Sequence, residues 1–380
     1  MNAMNVRRLG AAALAIAALT AAGCGGGSDS SSGDGETAGT ETDAVSPGVA
    51  RAEAVVAPYM ETPTEIGPTE AIKKMPTGAL VEFVQCGVPI CQAIGDGVEE
   101  AAEAAGLKFK RVNQGNTPQE IAAGWDQVVQ DDPAAAISAG VPAALFKPQL
   151  AKLAAQDTKV IGWTMPEPAG EGLTINMIGP EENNYLGTLL ADYVTAETGG
   201  EAETLVVNAP AYAVLTSMQE GFEERYARDC PGCGYGKLDF EPTDIGKSLP
   251  EKVVSYLQKN PDTNWIVMTF GDPAIGVPEA IKAAGLPLPK IITTAGGKVN
   301  YAYIETEDQA ADLGSSTDFL GWKAIDAAAR AISGQSVEPD EGEMPTQFLT
   351  AETIDFDIEQ PWPAVPGFRE QFEALWGVQG

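Results

Sequence analysis

The sequence predicts an α/β protein of two doubly wound parallel-sheet lobes joined by a three-segment hinge, with a ligand cleft between them. Three observations lead there. Short apolar runs alternate with amphipathic stretches of helical spacing along most of the chain. The alternation stops and restarts near residue 200. The part with globular composition, about 310 residues, exceeds what one hydrophobic core ordinarily holds.

In the first run, residues 79–85, 108–112, 134–138, 159–164 and 173–177 have the length and apolar content of strands, and 92–105, 117–129, 143–156 and 181–198 have helical spacing. Thr117-Pro118-Gln119-Glu120 opens one helix with a Thr cap, a Pro at the first helical position and a Glu at the capping-box position. In the second run, strands at 204–208, 236–240, 265–270 and 291–294 alternate with helices at 214–228, 247–259 and 273–284. Strands that read as continuous apolar runs belong to parallel sheets covered on both faces. Ligands in such folds bind beyond the carboxyl ends of the strands. Two lobes that face each other there make a cleft.

Ahead of the lobes, Arg7 and Arg8 precede an uncharged run over 9–22, which ends in Ala21-Ala22-Gly23-Cys24. These are the parts of a secretory signal. The run is too short for a transmembrane helix, which needs about 20 residues. The segment resembles a bacterial lipobox, with Ala21 where a Leu usually stands. The resemblance implies a signal peptide over 1–23, lipid attachment at Cys24 and a place on the outer face of the cell membrane. Residues 24–76 are expected to form a flexible acidic linker. Gly and Ser dominate 25–35, and Pro47, Pro58, Pro63 and Pro68 keep the rest irregular, with a short helix at 50–57.

The formal net charge is -31 and there is no His. Nucleic acid is excluded as a partner, because phosphate binding relies on clustered Lys and Arg. The commonest general base and metal ligand is missing. The carboxylate pairs Glu99/Glu100 and Glu223/Glu224 fall on helix surfaces, and no G-x-x-x-x-G-K-[ST] phosphate loop occurs. No catalytic residue, metal or cofactor is expected.

Several segments, in their order, resemble one family. Asp96-Gly97-Val98-Glu99-Glu100 matches its first helix, and Asn183-Asn184-Tyr185-Leu186-Gly187 its entry into the second lobe. Met218-Gln219-Glu220-Gly221-Phe222 and Leu320-Gly321-Trp322-Lys323-Ala324 match later helices, and Gly271-Asp272-Pro273-Ala274 a cleft loop. From about 78 to 357 the chain resembles the type I periplasmic solute-binding proteins of ABC importers, the ribose- and galactose-type group. The resemblance implies a small-molecule solute, an ABC permease as partner and lobe closure over the ligand. It implies crossings between lobes near Ile178, Ala295 and Val337. The lobes are then 77–177 with 296–336, and 178–295 with 337–380. The same fold also serves sensor subunits that report ligand to a membrane kinase.

The loops after the strands supply the candidate ligand contacts: Gln85, Cys86, Ile90, Trp163, Thr164, Met165, Tyr212, Phe270, Asp272, Ala295 and Ser315. Where sugar binders of this group carry an Asp-Arg pair, this chain has Thr164-Met165. Thr216 stands in place of an Arg, and Ala295 in place of an Asp. Charged forks grip sugar hydroxyls through charge-assisted hydrogen bonds, so their loss implies a less polar pocket for a neutral solute. Trp163, Tyr212 and Phe270 are the candidate stacking faces. Asp272 is either a ligand acceptor or the cap of its own helix.

With Cys24 lipidated, Cys86, Cys91, Cys230 and Cys233 remain. Four cysteines in an exported protein suggest disulfides, and Cys86–Cys91 with Cys230–Cys233 is the simplest of three connectivities. The C-x-x-C spacing at 230–233 also admits thiol-redox chemistry, although here it ends a helix where redox motifs begin one. A four-Cys zinc site would need the two pairs to meet.

Overall fold

A computed structural model describes residues 46–337 and 344–378. The signal segment, Cys24 and the Gly/Ser-rich stretch lie outside the described residues. After helix α1 (Pro47–Val56), the first lobe is built from β1 (Leu80–Cys86), α2 (Pro89–Ala104), β2 (Lys108–Gly115), α3 (Pro118–Asp131), β3 (Ala135–Ala139), α4 (Lys147–Ala155), β4 (Lys159–Trp163) and β5 (Leu173–Met177). The second lobe continues with α5 (Pro180–Thr198), β6 (Glu203–Asn208), α6 (Ala213–Asp229), β7 (Gly234–Asp239), α7 (Leu249–Lys259), β8 (Trp265–Met268), α8 (Val277–Ala283), β9 (Lys290–Thr294), α9 (Lys298–Glu305) and β10 (Ala311–Gly314). The chain closes with α10 (Thr317–Ile332), β11 (Gln347–Leu349) and α11 (Phe368–Trp376).

The two sheets run in the orders β2-β1-β3-β4-β5 and β11-β10-β9-β8-β6-β7. Only the β10–β11 ladder is antiparallel among the described strand pairs. In each sheet the order reverses beside the first strand, β1 or β6, which is where doubly wound folds open a binding crevice. Strand alternation supplies both faces of the first sheet. Phe83, Ile137 and Ile161 join one apolar cluster, whereas Val84, Ala136 and Val160 join another that holds the stacked Trp125–Phe146 pair. The capping box at α3 forms as expected: Thr117 Oγ1 accepts from the Glu120 N–H, and Glu120 Oε2 from the Thr117 N–H.

Four of the segments that carry the family resemblance meet in pairs. A Cβ on Gly187 of α5 would collide with the Met218 carbonyl of α6, and one on Gly221 of α6 with the Asn184 carbonyl of α5. In the first lobe, Gly97 of α2 and Gly321 of α10 allow the same backbone approach. These glycines let helices touch main chain to main chain beside the connections between lobes.

Three expectations are corrected. The linker predicted to reach residue 76 is ordered from Ser46 onward. Val49, Ala52 and Val56 are spaced three and four apart and bury one face of α1, which packs on α5 and α6. The following segment then runs onto the first lobe, where the Ile72 N–H donates to Leu375 O at 2.8 Å and Ile66, Ile72 and Met75 are buried. Second, residues 296–314 belong with the second sheet, not the first lobe. β10 lies parallel to β9, with Asp312 opposite Thr293, so α9 completes a β-α-β unit there. The crossing therefore falls between β10 and α10, not at Ala295. Third, α11 packs on α10 against the first lobe, with Trp376 stacked on Trp322 at 5.1 Å. Only β11 of the C-terminal part stays in the second sheet.

Candidate functional site

The carboxyl ends of the two sheets enclose one cavity of about 90 Å³. The first lobe contributes Cys86 at the end of β1, Ile90 in the first turn of α2, Gly140 after β3, and Trp163 and Thr164 at the end of β4. The second contributes Tyr212 and the first turns of α6, together with Phe270 after β8. Ile178 and Ser315 line it from the connecting segments, and Ala295 from the loop after β9. Eight of the sequence-derived candidates, Cys86, Ile90, Trp163, Thr164, Tyr212, Phe270, Ala295 and Ser315, thus meet around one space.

Three do not. Gln85 lies on the α2 face of β1, where its Oε1 accepts from Arg111 Nη1 at 3.2 Å. The alternation of the strand turns it away from its neighbour Cys86. Met165 is wholly buried with Val160 and Leu173 beneath the sheet, and its main chain is held by Asn176. Asp272 faces an adjoining cavity of about 340 Å³ that shares Ile90 and Ala295 with the first. Its carboxylate accepts from the Ile90 N–H at 3.2 Å. It therefore caps α2 across the cleft, and no side-chain cap bond forms to its own short helix at 272–274.

Sequence reading missed the contribution of the α5 and α6 starts: Asn183, Leu186, Val214, Leu215 and Met218 all line the cavity. The signal was present. Val214, Leu215 and Met218 put apolar side chains on one face of a helix's first turns, directly after a cleft loop. Thr216, at the position of the family's Arg, is only half-buried and lies outside the lining.

Electrostatically the cavity is neutral, since no Asp, Glu, Lys or Arg lines it. Burial, with the nearby charge of Asp272, pushes the Tyr212 hydroxyl up to about 12, so it remains protonated. Burial also pushes Asp272 up to about 6, against the opposing pull of the Ile90 N–H. Main-chain strain gathers at the rim: Thr164, Ile178 and Ala295 all have φ near +50° and all line the cavity. A β-branched residue such as Ile178 is seldom held there, and such strain concentrates at binding sites.

Both disulfides form as local pairs. Cys86–Cys91 has a Cα separation of 5.6 Å and both residues line the cavity, so the bridge is part of its wall. Cys230–Cys233, with Cα atoms 5.3 Å apart, staples the chain between α6 and β7, away from the cavity.

The profile of the periplasmic binding protein domain family matches residues 85–336. The chain belongs to that family. Solved structures share the fold at low identity. A 5-methylthioribose transporter solute-binding protein from Thermotoga lettingae superposes with a TM-score of 0.69 at 14% identity, covering 81% of this chain and 99% of that one. GanP, a glucose-galactose binding protein from Geobacillus stearothermophilus, gives 0.64 at 17% identity, covering 73% and 99%. A periplasmic ribose ABC transporter structure from Conexibacter woesei gives 0.62 at 18% identity, covering 75% and 96%. No curated protein matches by sequence. The two-lobed parallel-sheet architecture is therefore the type I periplasmic binding protein fold.

Proposed function

We propose that this chain is the extracytoplasmic substrate-binding lipoprotein of an ABC importer, holding a small neutral solute between its lobes and delivering it to a membrane permease. The observation that carries this reading is the uncharged cavity enclosed by the facing carboxyl ends of both sheets, in a chain of this family. Cys24 is the lipid attachment point in this reading, and the segment after it spaces the lobes from the membrane. The residues that enclose solute are Cys86, Ile90, Trp163, Thr164, Tyr212, Phe270, Ala295 and Ser315. The lobes close by hinge motion at Ile178, at residues 315–316 and between α10 and β11.

Mass spectrometry of whatever co-purifies with the protein, followed by thermal shift and small-angle scattering with that solute, tests the proposal. A solute at 100 times its dissociation constant stabilises the protein by about 2.7 kcal/mol and compacts the lobes. A protein that carries no solute, and that neither shifts nor compacts with any small molecule, would refute it. Radiolabelled fatty acid incorporated by the parent and lost in Cys24→Ser tests the anchor.

A further inference from the structure

Residues 46–76 lie ahead of the span 85–336 that matches the family, yet they are bound to both lobes. On the second lobe, Val49, Ala52 and Val56 are buried, and a Cβ on Gly48 would collide with the Asp229 carbonyl at the end of α6. Arg51 pairs with the buried carboxylate of Asp229. The turn Ala57–Met60 follows. It brings the Tyr59 hydroxyl to that of Tyr185 on α5 at 2.7 Å, and sets its ring in a T-shaped pair with Phe348 of β11, centroids 6.5 Å apart. On the first lobe, Arg330 Nη2 of α10 donates to Glu70 O at 2.7 Å, Ser333 Oγ to Lys74 O at 2.8 Å, and the Ile72 N–H to Leu375 O of α11 at 2.8 Å. Ile66 and Ile72 join the apolar cluster that holds Val98 of α2 and Trp322 of α10. Between the two docked parts, residues 61–65 are mostly exposed and form neither helix nor strand.

Two further contacts fall at the two ends of one hinge. Just after α10, Gln335 Oε1 accepts from the Lys73 N–H at 2.7 Å. At the first residue of β11, Gln347 Nε2 donates to Met60 O at 3.2 Å. The segment therefore runs in parallel with the α10–β11 connection and holds both of its ends. Opening the cleft about that hinge must either extend residues 61–65 or peel a docked part from its lobe. An extended residue spans at most about 3.3–3.6 Å, and Pro63 fixes its own φ and restricts Thr62. Peeling returns buried apolar side chains to water.

We propose that residues 46–76 form a fourth connection between the lobes, a strap that clamps both ends of the α10–β11 hinge and limits how far the cleft opens. The inference rests on the receptor reading for the use of that motion. Solute is held when the lobes are closed, so its apparent dissociation constant is the intrinsic one divided by the closed fraction. A strap that confines the open state raises that fraction before any solute arrives. The segment ahead of the family's own residues is then a working part of the binding domain, and the chain from Cys24 enters the folded body at α1, on the second lobe.

The test uses the mature chain carrying Cys24→Ser, with fluorophores on unnatural side chains in place of Gln119, in the first turn of α3, and Lys247, just ahead of α7. Both are exposed and follow β2 and β7, the sheet edges remote from the connections between lobes. Single-molecule energy transfer then reads the lobe separation with no solute added. One variant carries about 15 Gly/Ser residues inserted between Thr62 and Pro63, which makes the crossing about four times longer. The hold of one docked part on the other falls roughly as the −3/2 power of that length, about eight-fold. The open fraction should rise by up to that factor, and the amount of small molecule recovered from the purified protein should fall. The same insertion ahead of Ser46 lengthens only the tether and should change neither. A second variant places a protease site at 61–65, so one sample is compared before and after cutting. Cutting should widen the separations with the circular dichroism unchanged. Separations that neither the Thr62–Pro63 insertion nor cutting widens overturn the strap, as does a widening that the insertion ahead of Ser46 reproduces. Widening with undiminished recovery of small molecule overturns the link to affinity. Widening in a protein that carries no solute and closes on none supports the strap and overturns the receptor reading.

Discussion

Asp272 links the lobes, and its environment makes a quantitative prediction for Asp272→Asn. Its carboxylate accepts the Ile90 N–H at the start of α2, from an element 182 residues distant in sequence. Burial raises it from 3.8 to about 6. That gap corresponds to about 3 kcal/mol by which the folded state disfavours the charged form, and water reaching the half-buried side chain reduces it toward about 1–2 kcal/mol. The folded value lies above the unfolded one. The stability associated with this group is therefore complete below pH 3.8 and lost as the pH rises through about 6. Asparagine keeps the shape and an oxygen acceptor for the Ile90 N–H but carries no charge. Urea unfolding of parent and variant between pH 4 and 8 should give nearly equal stabilities at the acid end. Across that range the variant should gain on the parent, becoming about 1–2 kcal/mol more stable at pH 8. Small-angle scattering at pH 8 should find its lobes at least as compact. A constant difference across pH, or a variant less stable at pH 8, would refute the reasoning, because it would mean that the carboxylate is stabilised where it sits.

Glu82 lies fully buried in β1, raised to about 7 first by burial and then by Asp131, with Lys110 opposing. Glu82→Gln should leave stability unchanged below pH 4.5 and raise it by up to about 3 kcal/mol above pH 7, the gain developing between those limits in thermal melts. Replacing Cys86 and Cys91 together by Ser opens a short loop. This should lower the unfolding free energy by about 2 kcal/mol in urea titrations and weaken ligand binding through the freed cavity wall, whereas the same change at Cys230 and Cys233 should spare binding. Gly187→Ala pushes α5 off the α6 main chain and should cost about 1–3 kcal/mol, with Thr188→Ala, one residue further on the half-exposed side, as the near-neutral control.

Much of this was legible before any coordinates. The alternation of apolar strands and helices specified two parallel sheets, because short runs such as Trp265–Met268 have no stable alternative once helices flank them. Brief spacings made local disulfides the simplest pairing, and eight loop residues taken from strand ends do converge on one cavity. The four glycines in the family-like helices were visible as motifs, though not as helix contacts.

The remainder depended on partners distant in sequence. Nothing local says that residues 296–314 rejoin the second sheet, since β10 is assigned there by its ladder to β9 and β11. Proline and polarity made 46–76 look like a tether, yet α1 is held by a surface that α5 and α6 build only after folding. Asp272 read as a possible local cap because helix starts follow loops, and only the meeting of the two lobes offered it the N–H of Ile90 instead. The sequence by itself thus determined most strands and helices between residues 79 and 294, their order, the family and the absence of charge at Thr164, Met165, Thr216 and Ala295, all of which are set by local spacing and side-chain chemistry. The tertiary structure alone decided which polar groups of the cavity satisfy one another and which are left for a ligand, because a hydrogen bond depends on where two groups meet and not on how far apart they stand along the chain.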